Sequence, residues 1–312
     1  MTPQTTFRVT DRRHTAGVAG PGAPRDIPPG YRPHAMLLGP LNEDQTRAFL
    51  LEKGAAPDAI DDLMRERART SSRMRALPAY SPAEAVLPLQ DAQAIAEIAR
   101  IMELPECKAA FPPGSWTAQF VEIGKLIAVQ PSIDVRYAEI IGAAGLDPEN
   151  PISAVPLCFA HKHGLPFHVS LDQPQKSVSI SGIHPAFEVL SLRCTQQQND
   201  GPLIVSFMVA APPNIVVVLR WSGRLFLSNG YHRIYRLMQA GFSHVPCVVR
   251  EAPSLAHIAP YGPTFFQEPV LMAPRPPLFG DFADPELALI VPLRATRRVI
   301  RIRPDEYFVA SP

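Results

Sequence analysis

The chain has 312 residues, of which 46% are hydrophobic, and a formal net charge of +1. This length and apolar content allow one large or two modest domains with a buried core, and the near-neutral charge gives no general attraction to nucleic acid or to an anionic membrane. Proline is the unusual component: its 36 residues are roughly twice the average share of about 5%, so long loops are expected.

The four cysteines are widely spaced and include no Cys-x-x-Cys pair, which favours reduced thiols over a disulfide framework. No run approaches the length of about 18 apolar residues that a membrane-spanning helix needs. The opening residues also lack the apolar segment of a signal peptide. These features predict a soluble, cytoplasmic protein with no membrane association.

Residues 1–41 are rich in Pro, Gly and Arg and are predicted to form a disordered tail, because they offer too little apolar surface to offset the entropy of ordering. A helical region is predicted over residues 42–111. Its first helix has Asn42 as the N-cap, Gln45 at the third position of a capping box, and Gly54 at its end.

Two further helices are predicted in this region, one from Pro57 and one over 91–103, where apolar residues recur at helical spacing.

After Trp116 the sequence pattern changes from helical to mixed. The expected order is a strand at 120–123, a helix at 135–141, short strands over 151–210, two strands around the Ser-Gly turn at 222–223, a helix ended by Gly241, and a strand at 245–251. This succession predicts an α+β fold with a mixed sheet, and the alternating segment "RRVIRIR" (297–303) predicts an exposed or edge strand.

The stretch "FLSNGYHRIYRLMQAGFSHVPCVV" (226–249) points to an anion site at the start of a helix. A helix N-terminus exposes main-chain N–H groups and partial positive charge, and Gly230 lets an anion approach the main chain. Cations in the first turn cost stability unless something negative binds, and no acidic residue occurs from 201 to 250. The candidate phosphate-binding residues are Asn229, Gly230, Tyr231, His232 and Arg233. The alternative is an arginine that pairs with a distant acid and a histidine that caps a loop.

This stretch resembles the phosphate-binding half of the ParB/sulfiredoxin-like superfamily, whose members carry a strand, a Gly-x-(His/Arg)-Arg turn, a helix, a glycine and a strand beginning near Val-Pro. Upstream, "VEIGKLIAVQPSIDVRYAEII" (121–141) is similar to the strand, Leu-x-x-x-Gln-Pro segment and Asp-led helix that open that domain. The resemblance implies a mixed-sheet domain over 112–250. It leaves 142–210 as a β-rich insertion and 251–312 as a Pro-rich C-terminal extension with a strand.

The resemblance implies several activities. Sulfiredoxins use a cysteine where this chain has Tyr231, which argues against sulfinic-acid repair, and segregation-type ParB proteins continue into a helix-turn-helix domain that is not evident here. The Gly-x-His-Arg turn is most similar to the free-serine-kinase branch. That branch implies a nucleotide, ATP or CTP with Mg²⁺, and phosphoryl transfer or nucleotide hydrolysis with His232 among the catalytic residues. The base would be Glu122 or Asp134.

Several alternatives stay open. Asp134 can instead be the N-cap of the helix that follows it, Glu122 can be a solvent-facing strand residue, and Glu139 belongs to the same motif. A different class of function is a non-catalytic module that docks DNA or a protein partner on its basic face. The run "HKHGLPFH" places His161 and His163 two residues apart, as in some metal centres, but no carboxylate completes the motif and no metal site is predicted.

Overall fold

The computed structural model describes residues 27–142, 145–160, 167–182, 188–196, 201–210, 213–258, 265–307 and 309. These residues form two compact units. The larger unit contains the described residues up to 160 together with those from 213 to 295, and the smaller unit contains those from 167 to 210 together with those from 296 onward.

In chain order, the strands of the described residues are β1 (Tyr31–Met36), β2 (Val86–Pro88), β3 (Thr117–Glu122), β4 (Ile127–Ala128), β5 (Ser132–Asp134), β6 (Phe167–Asp172), β7 (Ser177–Gly182), β8 (Glu188–Gln196), β9 (Leu203–Ala210), β10 (Val217–Trp221), β11 (Arg224–Asn229), β12 (His244–Glu251), β13 (Leu289–Arg294) and β14 (Arg298–Ile302). The helices are α1 (Glu43–Glu52), α2 (Ile60–Arg75), α3 (Ala92–Met102), α4 (Pro105–Ala110), α5 (Val135–Ile140), α6 (Val155–Cys158), α7 (Tyr231–Gln239) and α8 (Glu268–Leu271). This combination of helices with mixed sheets confirms the α+β class. Within the described ranges, no helix has the length and apolar character to cross a membrane.

A six-stranded mixed sheet in the order β2-β3-β12-β10-β11-β4 forms the centre of the larger unit. Consecutive residues of β12 are buried, which is typical of a strand covered on both faces. Val218, Phe226 and Val248 on the three adjacent strands are fully buried. The predicted hairpin around the Ser-Gly turn is confirmed, because β10 and β11 pair as antiparallel neighbours on either side of it.

A second sheet of the larger unit has the order β13-β1-β5, and it pairs a strand from the start of that unit's chain segment with one from its end. The prediction of a disordered tail through residue 41 is therefore wrong for residues 31–41. These residues form β1 and a buried apolar run, in which Met36 and Leu38 are fully buried. The average composition of the tail concealed this run. The predicted C-terminal extension likewise contributes β13 and the buried Phe279 to the same unit.

The predicted N-terminal helices are confirmed, together with their local start and stop signals. Oδ1 of Asn42 accepts a hydrogen bond from the Gln45 N–H at 2.8 Å, and Oε1 of Gln45 accepts one from the Asn42 N–H at 3.0 Å. Gly54 follows α1 with a φ of +71°. A 3₁₀ turn at Pro57–Ala59 leads into α2, and Oδ1 of Asp91 caps α3.

The smaller unit consists of a three-stranded antiparallel sheet, in the order β14-β7-β6, and a separate β8-β9 hairpin. The strand predicted from "RRVIRIR" is confirmed as β14, which lies at the edge of its sheet. Residues 167–210 of this unit overlap the predicted β-rich insertion at 142–210.

Candidate functional site

The two motifs that carry the resemblance lie side by side, although they are about a hundred residues apart in the chain. β4 pairs in parallel with β11, with Ile127 opposite Phe226. Beyond these strands, the buried hydroxyl of Tyr231 accepts hydrogen bonds from the main-chain N–H groups of Val129 and Gln130, the second at 3.0 Å. The Gln-Pro loop is thus attached to the first residue of α7, and the Tyr231 hydroxyl is engaged in this attachment.

Gly230 is the N-cap of α7 and has a φ of +108°, a conformation that favours glycine. A Cβ at this position would lie 2.8 Å from Cγ2 of Val216, so packing also requires a glycine here. Its main chain makes the turn from β11 into the helix. Within the described chain no side chain caps α7, and its first turn contains no acidic residue. The helix therefore begins without the negative partner that a helix N-terminus favours.

Arg233 points into the protein rather than toward solvent. Only 3% of the residue is exposed, and Nη1 donates hydrogen bonds to the main-chain oxygens of Leu157 at 3.2 Å, Cys158 at 3.3 Å and Asn214. Burial lowers the pKa of Arg233 to about 10. Among the described residues, no carboxylate forms an ion pair with it. The guanidinium is thus hydrogen-bonded but its charge is not balanced.

Asn214 connects two of the predicted site residues. Its Oδ1 accepts hydrogen bonds from Nδ2 of Asn229 at 2.9 Å and from Nη2 of Arg233. Asn229 also donates to the main-chain oxygen of Ile215 at 2.9 Å. The Asn229 side chain, predicted to approach an anion, therefore connects the end of β11 to the segment that enters β10.

His232 is the half-exposed side chain of this helix start. Its ring lies edge-on to that of Tyr137 on α5, with ring centroids 4.6 Å apart and an interplanar angle of 76°. Burial raises the pKa of Tyr137 to about 12, although the nearby Arg233 charge acts in the opposite direction. The helices of the two motifs are therefore in contact through this pair of rings.

Asp134 lies beside this pair of rings, at the start of α5. Its Oδ1 accepts a hydrogen bond from the Tyr137 N–H at 2.8 Å, so it is the N-cap of α5, as one of the two interpretations expected. Its Oδ2 forms an ion pair with Nη1 of Arg32 at 3.1 Å. His34 lies opposite Asp134 in the β1–β5 register, and its Nδ1 is 3.2 Å from Oγ of Ser132. Both carboxylate oxygens of Asp134 are thus already engaged.

Glu122 is the last residue of β3, on the other side of the central sheet from β11. Three strand spacings separate β3 from β11, which corresponds to roughly 14 Å. The carboxylate forms an ion pair with Lys125 at 3.0 Å. The structure therefore does not bring Glu122 to the Gly230 turn. Glu139 forms an ion pair with Arg136 at 2.7 Å on its own helix.

The other arginines near this motif in sequence do not converge on it. Arg220 forms an ion pair with Glu251 at 3.3 Å, and the Arg250 guanidinium lies 5.7 Å from the ring centre of Phe111. Arg224 donates hydrogen bonds to the main-chain oxygens of residues 271–273, at the C-terminal end of α8. All three arginines lie at the end of β10, β11 and β12 near the Ser-Gly turn, opposite the end at which Asn229 leads into Gly230, so they do not form one basic face around Gly230.

A cleft of 710 Å³ borders the segment that Arg233 holds, since both involve Leu157. Its walls come from α3 and from residues 141–157, with Glu97 and Asn150 among the polar side chains. Apolar residues such as Ile152 line most of the rest. The carboxylate of Glu97 has the wrong sign for a phosphate, and the cleft is not lined by the Gly230 turn.

Most of the histidine run lies outside the described residues. His161 and His163 lie outside the described residues, and His168 is an exposed residue of β6. Within the part of the chain that the structure describes, no cluster of three or more His, Cys, Asp or Glu residues has an arrangement that could hold a metal ion.

Asn214, Tyr137 and the carbonyl groups of α6 are part of this arrangement but were not among the predicted site residues. Asn214 follows two prolines just before a strand, a pattern typical of any loop. In the sequence, Tyr137 has the pattern of an ordinary residue on the apolar face of a short helix.

A scan against protein-family models, a search of the curated proteins and a search of the solved structures each found no match to this chain.

Proposed function

We propose that the larger unit binds a phosphate-bearing ligand, specifically a nucleotide, at the N-terminus of α7. The observation that carries this proposal is the unbalanced charge of Arg233: a buried cation with no carboxylate partner in the described chain, in the first turn of a helix that has no acidic residue there. Burying an unpaired charge is costly. An anion at this helix end would offset that charge and also interact favourably with the helix dipole.

Each residue of the turn has a role in this proposal. The main-chain N–H groups of the first turn and the half-exposed His232 would contact the phosphate. Arg233 contributes its charge, while its hydrogen bonds to carbonyl groups hold the surrounding segments in position. Tyr231 and Asn229 fix the glycine turn against the neighbouring loops, which keeps the helix start rigid.

The order of elements supports a ParB/sulfiredoxin-like relationship for the larger unit. A strand, a Gln-Pro loop and an Asp-capped helix (β4 to α5) lie beside a strand, a glycine turn, a helix and a further strand (β11 to β12). The resemblance implies ATP or CTP with Mg²⁺ as the ligand. It also implies a nearby acid for phosphoryl transfer or nucleotide hydrolysis.

The positions of the acidic residues support a proposal of ligand binding but not the proposal of a particular catalytic step. Asp134 is held by Arg32 and by the N-terminus of α5, and Glu122 lies three strands away. We therefore assign neither a general base nor a Mg²⁺ ligand. The docking alternative expects a basic face at the Gly230 turn, whereas Arg220, Arg224 and Arg250 lie at the other end of β10, β11 and β12.

The test is titration calorimetry of the full chain with ATP, CTP and GTP, each with Mg²⁺, and with pyrophosphate. We compare the wild type with Arg233→Gln, because glutamine retains an amide donor for the carbonyl groups but removes the charge. A unit charge roughly 8 Å from the phosphate contributes about 2 kcal/mol at an effective dielectric constant of about 20, so its removal is expected to lower the affinity roughly tenfold to a hundredfold.

Arg224→Gln is the matched control. Arg224 also donates to main-chain carbonyl groups, but it begins β11 whereas Asn229 ends it, five residues or about 17 Å away. This variant is expected to lose stability and to keep its affinity for the ligand. The proposal fails if the wild type binds none of the four compounds, or if the two variants bind equally well.

A further inference from the structure

The chain leaves the larger unit before β6 and returns to it after β9 through two segments that are hydrogen-bonded to each other. The described residues of the larger unit stop at 160 and resume at 213. The Asn214 N–H donates a hydrogen bond to the main-chain oxygen of Ala160 at 3.3 Å, and the Val216 N–H donates one to that of Cys158 at 2.8 Å. We call these two paired segments, 157–160 and 213–216, the insertion root.

Two of the candidate phosphate-binding residues hold the insertion root together. Nη1 of Arg233 donates to the main-chain oxygen of Cys158, at 3.3 Å, in the first segment and to that of Asn214 in the second. Nδ2 of Asn229 donates to Oδ1 of Asn214 and to the main-chain oxygen of Ile215, both at 2.9 Å. The guanidinium that has no carboxylate partner in the described chain is therefore also the group that joins the two segments.

The unbalanced charge of Arg233 opposes closure of the insertion root. Separating the two segments removes the carbonyl acceptors from around the guanidinium and admits water, in which a single charge needs no partner. The closed root instead keeps the cation buried, which costs free energy while no anion balances it. An anion at the N-terminus of α7 removes this cost and leaves intact the hydrogen bonds that hold the root closed. The closed root therefore binds an anion more tightly than the open root does.

We infer that phosphate binding at the N-terminus of α7 closes the insertion root and so controls two of the chain connections of the smaller unit. This inference rests on the proposed function, since it requires a phosphate at that helix end. A ligand shifts an equilibrium toward the state that it binds better. In the ligand-free protein the root opens more often, and in the bound protein it is held closed. Ligand binding in the larger unit is thereby transmitted to the segments that carry β6 and β9.

The first experiment measures hydrogen exchange of single amides in the full chain by mass spectrometry, with and without pyrophosphate at about 100 times its dissociation constant. A ligand that binds only the closed root lowers the population of the open root by about 100-fold at this concentration. Exchange of the Asn214 and Val216 N–H groups is therefore expected to slow by up to about 100-fold. The control amide is that of Lys53, which donates to the main-chain oxygen of Phe49 at the end of α1. Its exchange, by fraying of the helix end, is expected to be unchanged.

A second measurement needs no ligand. Asn214→Asp places a carboxylate where Oδ1 of Asn214 already accepts a hydrogen bond from Nη2 of Arg233, so the charge is balanced within the chain. Exchange of the Val216 N–H in the ligand-free variant is expected to slow by about tenfold or more. The matched control is Asn42→Asp, because Asp and Asn are equally good N-caps and Asn42 caps α1. This control is expected to leave exchange at Val216 unchanged.

These results either support or overturn the inference. Slower exchange at Asn214 and Val216 with pyrophosphate but not at Lys53, together with slower exchange in Asn214→Asp, supports it. Calorimetric binding of pyrophosphate without any change at the root overturns this inference and leaves the proposed function standing, whereas absence of binding overturns both. Equal slowing at Lys53 and at the root indicates general stabilisation and overturns the inference, as does unchanged exchange at Val216 in Asn214→Asp.

Discussion

Replacing Gly230 with alanine tests whether this turn is fixed by packing and by main-chain conformation. The φ of +108° costs an L-residue about 1–3 kcal/mol. The new Cβ would also lie 2.8 Å from Cγ2 of Val216 and 3.3 Å from its Cα, and overpacking of this kind costs about 1–3 kcal/mol. The free energy of unfolding is therefore expected to fall by about 2–6 kcal/mol in Gly230→Ala.

Gly223→Ala is the matched control for the conformational part of this cost. Gly223 has a φ of +71°, and a Cβ there would meet nothing within 4 Å, so the loss is expected to be only about 1–2 kcal/mol. Urea unfolding followed by tryptophan fluorescence measures both variants, because Trp116 and Trp221 both lie in the larger unit. Equal losses in the two variants would refute the packing argument. Adding Val216→Ala to Gly230→Ala should recover part of the loss if the Cγ2 contact is its cause.

Two further predictions concern tyrosines next to this turn. Tyr231→Phe removes the acceptor for two main-chain N–H groups of the Gln-Pro loop. The free energy of unfolding in the same urea assay should therefore fall by about 1–3 kcal/mol. An unchanged value would mean that water replaces the hydroxyl. Burial raises the pKa of Tyr137 to about 12 and also raises that of Tyr231, so above pH 10 the folded state keeps protons that the unfolded chain releases. Stability is then fully present below about pH 10 and falls as the pH rises toward 12, and Tyr137→Phe should reduce that decline when unfolding is measured from about pH 9 to about pH 11.

The parts of the fold that the sequence predicts well are those determined by neighbouring residues. The capping box of Asn42 and Gln45 forms within one helical turn, and the Ser-Gly turn between β10 and β11 needs only its own residues. β1 was missed because its burial depends on β13, which is distant in the chain, and because the flanking residues are rich in Pro and Gly. The residues next to β1 in the sequence contain no information about its pairing with β13.

The elements around Gly230 were predicted from the sequence, but the directions of their side chains were not. The pattern around Gly230 identifies a strand, a turn and a helix start, and these are present. Whether Arg233 points to solvent or to the carbonyl groups of α6 depends on where the loop before β10 runs, and that path is set by tertiary packing. The same holds for Glu122, since its distance from the turn depends on the strand order of the sheet.

The pairing of β1 with β13 has a consequence for how the protein is made. Leu289, the first residue of β13, follows Met36, the last residue of β1, by 253 positions. At about 5–20 residues per second, a ribosome needs on the order of 13–50 s to synthesise that interval. During this time the nascent chain presents β1 with one edge unpaired, so the second sheet of the larger unit can be completed only after β13 has been synthesised.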